Sequence, residues 1–205
     1  MKIRQKITGT ADGRGYVLMA ALAFFHFVFL GTEYLFDDMM VLVTEPTQVV
    51  TAQGYVLGAS VLGFLLYPAV VSGMERKRER AVADLHTIRG TGGMLPVFAG
   101  ALAGIICIFV MWQHASYGML LIAGCLCFIL LGMGGSAVHY GLSLAVKERY
   151  LAKTVGISYG VGICLQFLNH QLVQNDMAES VVLAVSTAVF AVLLLRADIG
   201  QEKAE

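Results

Sequence analysis

The sequence predicts an all-α integral membrane protein with six transmembrane helices and both termini in the cytoplasm. Composition is the first reason: 58% of residues are hydrophobic and only 14% charged, against about 45–50% and about 25% in soluble domains. The second is the series of apolar segments at 16–36, 49–72, 94–112, 117–146, 154–172 and 177–195, each close to the ~20 residues that a bilayer crossing needs. The third is the placement of charge. All 14 Lys and Arg residues fall before span 1, between spans 2 and 3, between spans 4 and 5, or after span 6. Lys and Arg next to span ends mark the cytoplasmic side, so this one-sided distribution sets both the number of crossings and their direction.

Span 1 follows Lys2, Arg4, Lys6 and Arg14. Its apolar run is longer than the ~7–15-residue core of a signal peptide and no small-residue cleavage site follows it, so it is expected to remain in the membrane. Span 2 contains Tyr67–Pro68 near its inner end, where proline predicts a local kink. The segment from Gly73 to Gly90 carries Arg76, Lys77, Arg78, Arg80 and Arg89, with Ala81, Val82, Leu85 and Ile88 as a narrow apolar stripe; it reads as a short charged cytoplasmic helix. Span 3 ends at Trp112 and span 4 begins at Tyr117, aromatic residues suited to an interface. Span 4 is longer than a crossing needs, which predicts tilt or extension beyond the bilayer. Lys147, Arg149 and Lys153 then precede span 5, and Arg196 and Lys203 follow span 6.

Glycines at four-residue spacing, Gly54 and Gly58 in span 2 and Gly156 and Gly160 in span 5, with Gly132 to Gly135 in span 4, predict close helix packing. Cys107, Cys125, Cys127 and Cys164 all lie within apolar runs, where free cysteine behaves as a small hydrophobe; no metal site, disulfide or cofactor is expected.

Ionisable side chains inside a membrane are costly and mark candidate functional sites. His26 lies ~15 Å into span 1, with Glu33 at ~26 Å from Tyr16. Offsets of seven and eleven residues return to nearly the same helical face, so His26, Leu30, Glu33 and Asp37 share one stripe, while Asp38 points elsewhere and is expected at the loop edge. In span 5, Gln166, Asn169 and His170 cluster toward the outer side, with Gln166 and His170 an i,i+4 pair. The candidate site is therefore His26, Glu33, Asp37, Gln166, Asn169 and His170, a polar wall between spans 1 and 5 that handles a solute or a proton, with Glu33 as the expected proton carrier. His139 is expected near the cytoplasmic boundary in a structural role. An enzyme is not expected. Ser136 lies in a Gly-Gly-Ser-Ala context and span 6 offers no histidine as base, and no zinc-protease, P-loop or dinucleotide motif is present.

The run from Leu131 to Ile163, with a glycine-rich span 4, a short basic turn and a span 5 opening on spaced glycines, resembles the N-terminal half of a major facilitator superfamily transporter. The span 2 pattern from Gln53 to Val70 is similar as well. The loop between spans 2 and 3 departs from the family signature: Lys77 stands where the family has Asp, Arg80 where it has Gly, and only Arg78 agrees. Gly160 is followed by Val161 rather than by the proline of the drug-antiporter motif. The resemblance implies a transporter-like half bundle in the inner or plasma membrane. It moves a small solute by alternating access and works with a second six-helix half or a second copy, without contacting nucleic acid directly. The alternative is a membrane sensor, ligand-binding or assembly module, linked in some relatives to a transcriptional regulator, that does not transport.

Overall fold

The computed structural model describes residues 13–84, 94–113 and 116–202, and the side chains of 13–70, 99–113 and 116–197. It is a bundle of six helices: α1 (Gly13–Val43), α2 (Pro46–Asp84), α3 (Met94–Trp112), α4 (Tyr117–Ala145), α5 (Glu148–Leu172) and α6 (Asp176–Glu202). Five of them are long and apolar enough to span a bilayer, and the described part of α3, Ala99–Trp112, is a shorter apolar helix. The chain is a multi-pass membrane protein. A bilayer requires this architecture, because backbone polar groups in hydrocarbon must be satisfied within each segment.

Most helix boundaries extend beyond the apolar runs. α1 continues to Val43, so Asp38, expected at a loop edge, is an exposed helical residue; a helix does not stop at the first charges when no Gly or Pro breaks it. α2 runs through Pro68 and on to Asp84, so the backbone of the charged segment continues the span as far as that residue. Residues 85–93 lie outside the described residues. α5 starts at Glu148 rather than 154, taking in the charged turn that composition alone assigns to a loop. At the other end of α4, the Ser116 side chain accepts the Met119 backbone N–H, an N-cap that satisfies one of the free amides of the first turn.

The helices that pack together form an ordered pattern. α1 packs against α4, α5 and α6; α4 packs against α1, α2 and α3; and α3 meets α6. Exchanging α1 with α4, α2 with α5 and α3 with α6 maps each of these extensive pairings onto another, or onto itself. α1 and α4 form the central antiparallel pair, locked by two reciprocal notches: the Phe25 ring covers Gly135 and the Phe36 ring covers Gly124, where an added Cβ would overlap either ring. Phe36, Phe128, Leu22 and Leu142 are fully buried around this axis.

Of the glycines whose spacing predicts close approach, Gly132 and Gly135 of α4 do pack tightly, and the pairs in α2 and α5 do not. Gly54, Gly58, Gly156 and Gly160 have nothing within 4 Å of an added Cβ, which corrects the expectation that they pack inside the bundle. The α2–α4 crossing instead places Gly63 against the Ile129 backbone and Gly132 against the Ser60 carbonyl, too close for any side chain. At the α1–α5 crossing, a Cβ on Gly162 would lie 2.6 Å from His26 Cβ and 2.9 Å from the Ala23 carbonyl. One turn away, Ser158 Oγ donates to the Met19 carbonyl at 3.0 Å and to its own-helix Thr154 carbonyl at 2.9 Å.

Candidate functional site

Between α1, α2, α4 and α5 lies an open cleft of about 490 Å³, within the ~300–1,000 Å³ range of small-molecule sites. Phe25, His26, Phe29 and Leu30 of α1 line it with Ser60, Val61, Phe64 and Leu65 of α2, Gly132 of α4 and Tyr159 of α5. Helices α3 and α6 contribute nothing to its lining, so the cleft lies at the centre of the exchange pattern, between the pairs that map onto each other. Its walls are mostly apolar and aromatic, with His26, Tyr159 and Ser60 as the polar points.

His26 is the hub of an aromatic cluster. Its ring meets Tyr159 edge-on at 5.0 Å between centroids and His139 at 6.3 Å. His139 in turn lies 5.9 Å from Phe64 and 6.4 Å from Phe25. Its Nδ1 is 2.7 Å from the Gly135 carbonyl; since a carbonyl only accepts, Nδ1 carries a hydrogen and donates it. His139 thus belongs beside His26. Sequence position alone places it at the boundary, because counting residues along α4 takes no account of where α1 crosses.

The predicted stripe on α1 faces the cleft and α2. His26 and Leu30 line the cleft, and Asp37 Oδ2 accepts a hydrogen bond from Gln53 Nε2 of α2, leaving Oδ1 buried without a partner. Glu33 lies between them on the same face, partly buried. The α5 cluster divides. His170 is exposed and stacks on Tyr34 of α1, with ring centroids 5.8 Å apart. Gln166 and Asn169, 3% and 8% exposed, turn inward instead, and Asn169 Nδ2 donates to Glu179 Oε1 of α6 at 3.1 Å. The six candidate residues therefore occupy three places rather than one wall: His26 in the cleft, Glu33 and Asp37 toward α2, and Gln166, Asn169 and His170 where α1, α5 and α6 meet.

In the sequence Glu179 reads as one of the acids of the connection before span 6, because it falls three residues after Asp176 at the head of an apolar run. In the fold it is 4% exposed. Of the cysteines, Cys127 is buried, with Sγ 3.9 Å from the Gly104 carbonyl. Among the described residues no group of three or more His, Cys, Asp or Glu side chains could hold a metal ion. No family model, curated protein or solved structure matches the chain.

Proposed function

We propose that the chain is a transporter-like half bundle that moves a small, amphipathic, largely aromatic or apolar solute by alternating access. The observation that carries this reading is the exchange pattern of the six helices around a central cleft. Two three-helix units that swap α1 with α4, one entering the bilayer from each side, have the inverted-repeat organisation found within each half of major facilitator transporters. In such folds the substrate site lies near the midplane at the repeat interface, and a cleft lined by α1, α2, α4 and α5 supports a site of that kind. Rings of Phe25, Phe29, Phe64 and Tyr159 suit an apolar or aromatic solute body. His26 and Tyr159 supply the directional polar contacts, and Glu33 and Asp37 continue the same face for a charged or polar end.

A second six-helix unit completes the cleft, either another half or a second copy. Gly54, Gly58, Val61 and Leu65 share one face of α2, and Gly156, Tyr159, Gly160 and Ile163 share one face of α5. Among the described residues nothing outside each glycine's own helical surroundings lies within 4 Å of a Cβ added at any of these glycines, and both faces border the cleft. Small residues are where transmembrane helices approach most closely, so these two faces are suited to receive the facing unit over the solute. The one-sided distribution of Lys and Arg along the sequence supports a cytoplasmic position for both termini, the arrangement expected for a cell-membrane transporter.

The test is transport by the reconstituted protein, using a panel of radiolabelled aromatic and amphipathic solutes of different charge. Movement of at least one solute, reduced tenfold or more in His26→Ala and Tyr159→Ala at unchanged protein level and thermal midpoint, is the expected result. Solute binding to the same cleft with no movement across the membrane would select the sensor or assembly alternative instead.

A further inference from the structure

Glu179 is 4% exposed, and among the described residues the exposed His170 is the one basic side chain that reaches its charge. The described Lys and Arg residues, Arg14, Lys147, Arg149, Lys153 and Arg196, lie at or near the other ends of α1, α5 and α6. Burial strips a carboxylate of hydration that an exposed histidine at the rim restores only in part. The immediate partners of Glu179 are two amides, Asn169 Nδ2 at 3.1 Å and the side chain of Gln166.

A second side chain points to what the site holds. Gln166 is 3% exposed and lies close enough to act on the Glu179 carboxylate, yet neither its Oε1 nor its Nε2 has a well-formed hydrogen bond. Buried polar groups left unpaired are rare and costly. Space for this amide is provided by α1, where a Cβ on Gly31 would lie 2.8 Å from Gln166 Oε1. A glycine that makes room for the amide, an enclosed amide held only loosely and a buried acid faced by a single exposed histidine together suit a small cation.

We propose that Glu179, with Gln166 and Asn169, forms a proton-binding site at the junction of α1, α5 and α6. Hydronium from the water at the acidic end transfers its proton to Glu179 Oε2 and leaves as water. The carboxylate loses its negative charge, the new O–H donates to Gln166 Oε1, and Asn169 Nδ2 continues to donate to Oε1. Asp38 of α1, His170 of α5 and Asp176 of α6 lie near enough to interact with the Glu179 charge. All three are exposed, so they form the entry by which protons reach it. The described part of α3, the remaining neighbour of α6, carries no acid, base or histidine. A proton suits the site better than a metal cation, because the available oxygens are few. Binding itself does not depend on transport; only its use as the coupling step rests on the transporter reading.

The experiment is a pH titration of the full chain in liposomes, followed by infrared difference spectroscopy of the protonated carboxyl band. The wild type is compared with Glu179→Gln, Glu33→Gln and Asn169→Leu, each in sodium and in choline chloride. A titrating band present in wild type and Glu33→Gln, absent in Glu179→Gln and indifferent to sodium is expected. The Asn169 donor bonds the charged carboxylate about twice as strongly as the protonated one, so its loss should raise the band's midpoint by about 1 pH unit. A band that persists in Glu179→Gln would overturn the proposal, as would displacement of the band by sodium at constant pH. If Glu179→Gln fails to fold, an unshifted midpoint in Asn169→Leu would overturn it as well. A Glu179 proton in a protein that moves no solute leaves this site standing and removes the transporter reading, and transport without that proton does the reverse.

Discussion

Gly162→Ala tests whether α1 and α5 meet as closely as the fold requires. The new methyl would lie 2.6 Å from His26 Cβ and 2.9 Å from the Ala23 carbonyl, whereas carbon contacts are optimal at about 3.5–4.0 Å. Neither obstacle is a flexible chain end, so α5 must move away from α1 by about 1 Å. That movement also stretches the Ser158–Met19 hydrogen bond, now 3.0 Å, beyond useful length. Overpacking costs about 1–3 kcal/mol, and an interhelical hydrogen bond in a membrane contributes about 0.6 kcal/mol. Alanine's better helix propensity returns up to about 1 kcal/mol. The net loss is about 1–3 kcal/mol, or about 4–8 °C in thermal midpoint at 2 kcal/mol for a chain of this size. Gly160→Ala is the matched control, since nothing lies within 4 Å of its Cβ, and it should be neutral or slightly stabilising. Thermal unfolding of both variants in the same detergent decides the matter. Equal midpoints for Gly162→Ala and wild type, or equal damage from Gly160→Ala, would refute the α1–α5 packing.

Other contacts give independent tests. Gln53→Leu removes the hydrogen bond to Asp37 Oδ2 and should destabilise by about 1–3 kcal/mol; adding Asp37→Asn should recover part of that loss, whereas additive losses in a double-mutant cycle would deny the contact. Ser158→Ala should cost less than about 1 kcal/mol in thermal stability, because the Met19 carbonyl keeps its own helical bond and membrane hydrogen bonds of this kind average about 0.6 kcal/mol.

Much of the architecture was legible because bilayer physics leaves few choices. Apolar length and the one-sided basic residues locate the helices, and the structure keeps all six. Helix ends were less legible, since Asp37 and Asp38 in α1 and Glu148 in α5 are charged residues that a helix can carry into water without breaking. Helix faces were less legible still. In a membrane both lipid and packed neighbours accept apolar side chains, so a glycine pair such as Gly54 and Gly58 looks the same whether it packs inside or faces outward. The stripe from His26 to Asp37 was readable because helical phase is fixed within one helix. Whether Gln166 and Asn169 join that stripe or meet Glu179 depends on how α1, α5 and α6 cross, and no periodicity within a single helix encodes that. For the same reason His139 appeared peripheral until α1 and α4 were placed together.

The most direct test of alternating access at the cleft is two-sided labelling of Val61→Cys, a cleft-lining residue of α2. The four native cysteines are replaced by alanine, and the protein is reconstituted in vesicles of known orientation. A membrane-impermeant maleimide is then applied from either side, with and without a solute that the protein moves. The account predicts labelling from both sides, in proportions that solute or a pH gradient shifts. Labelling from one side only, under every condition, would contradict it.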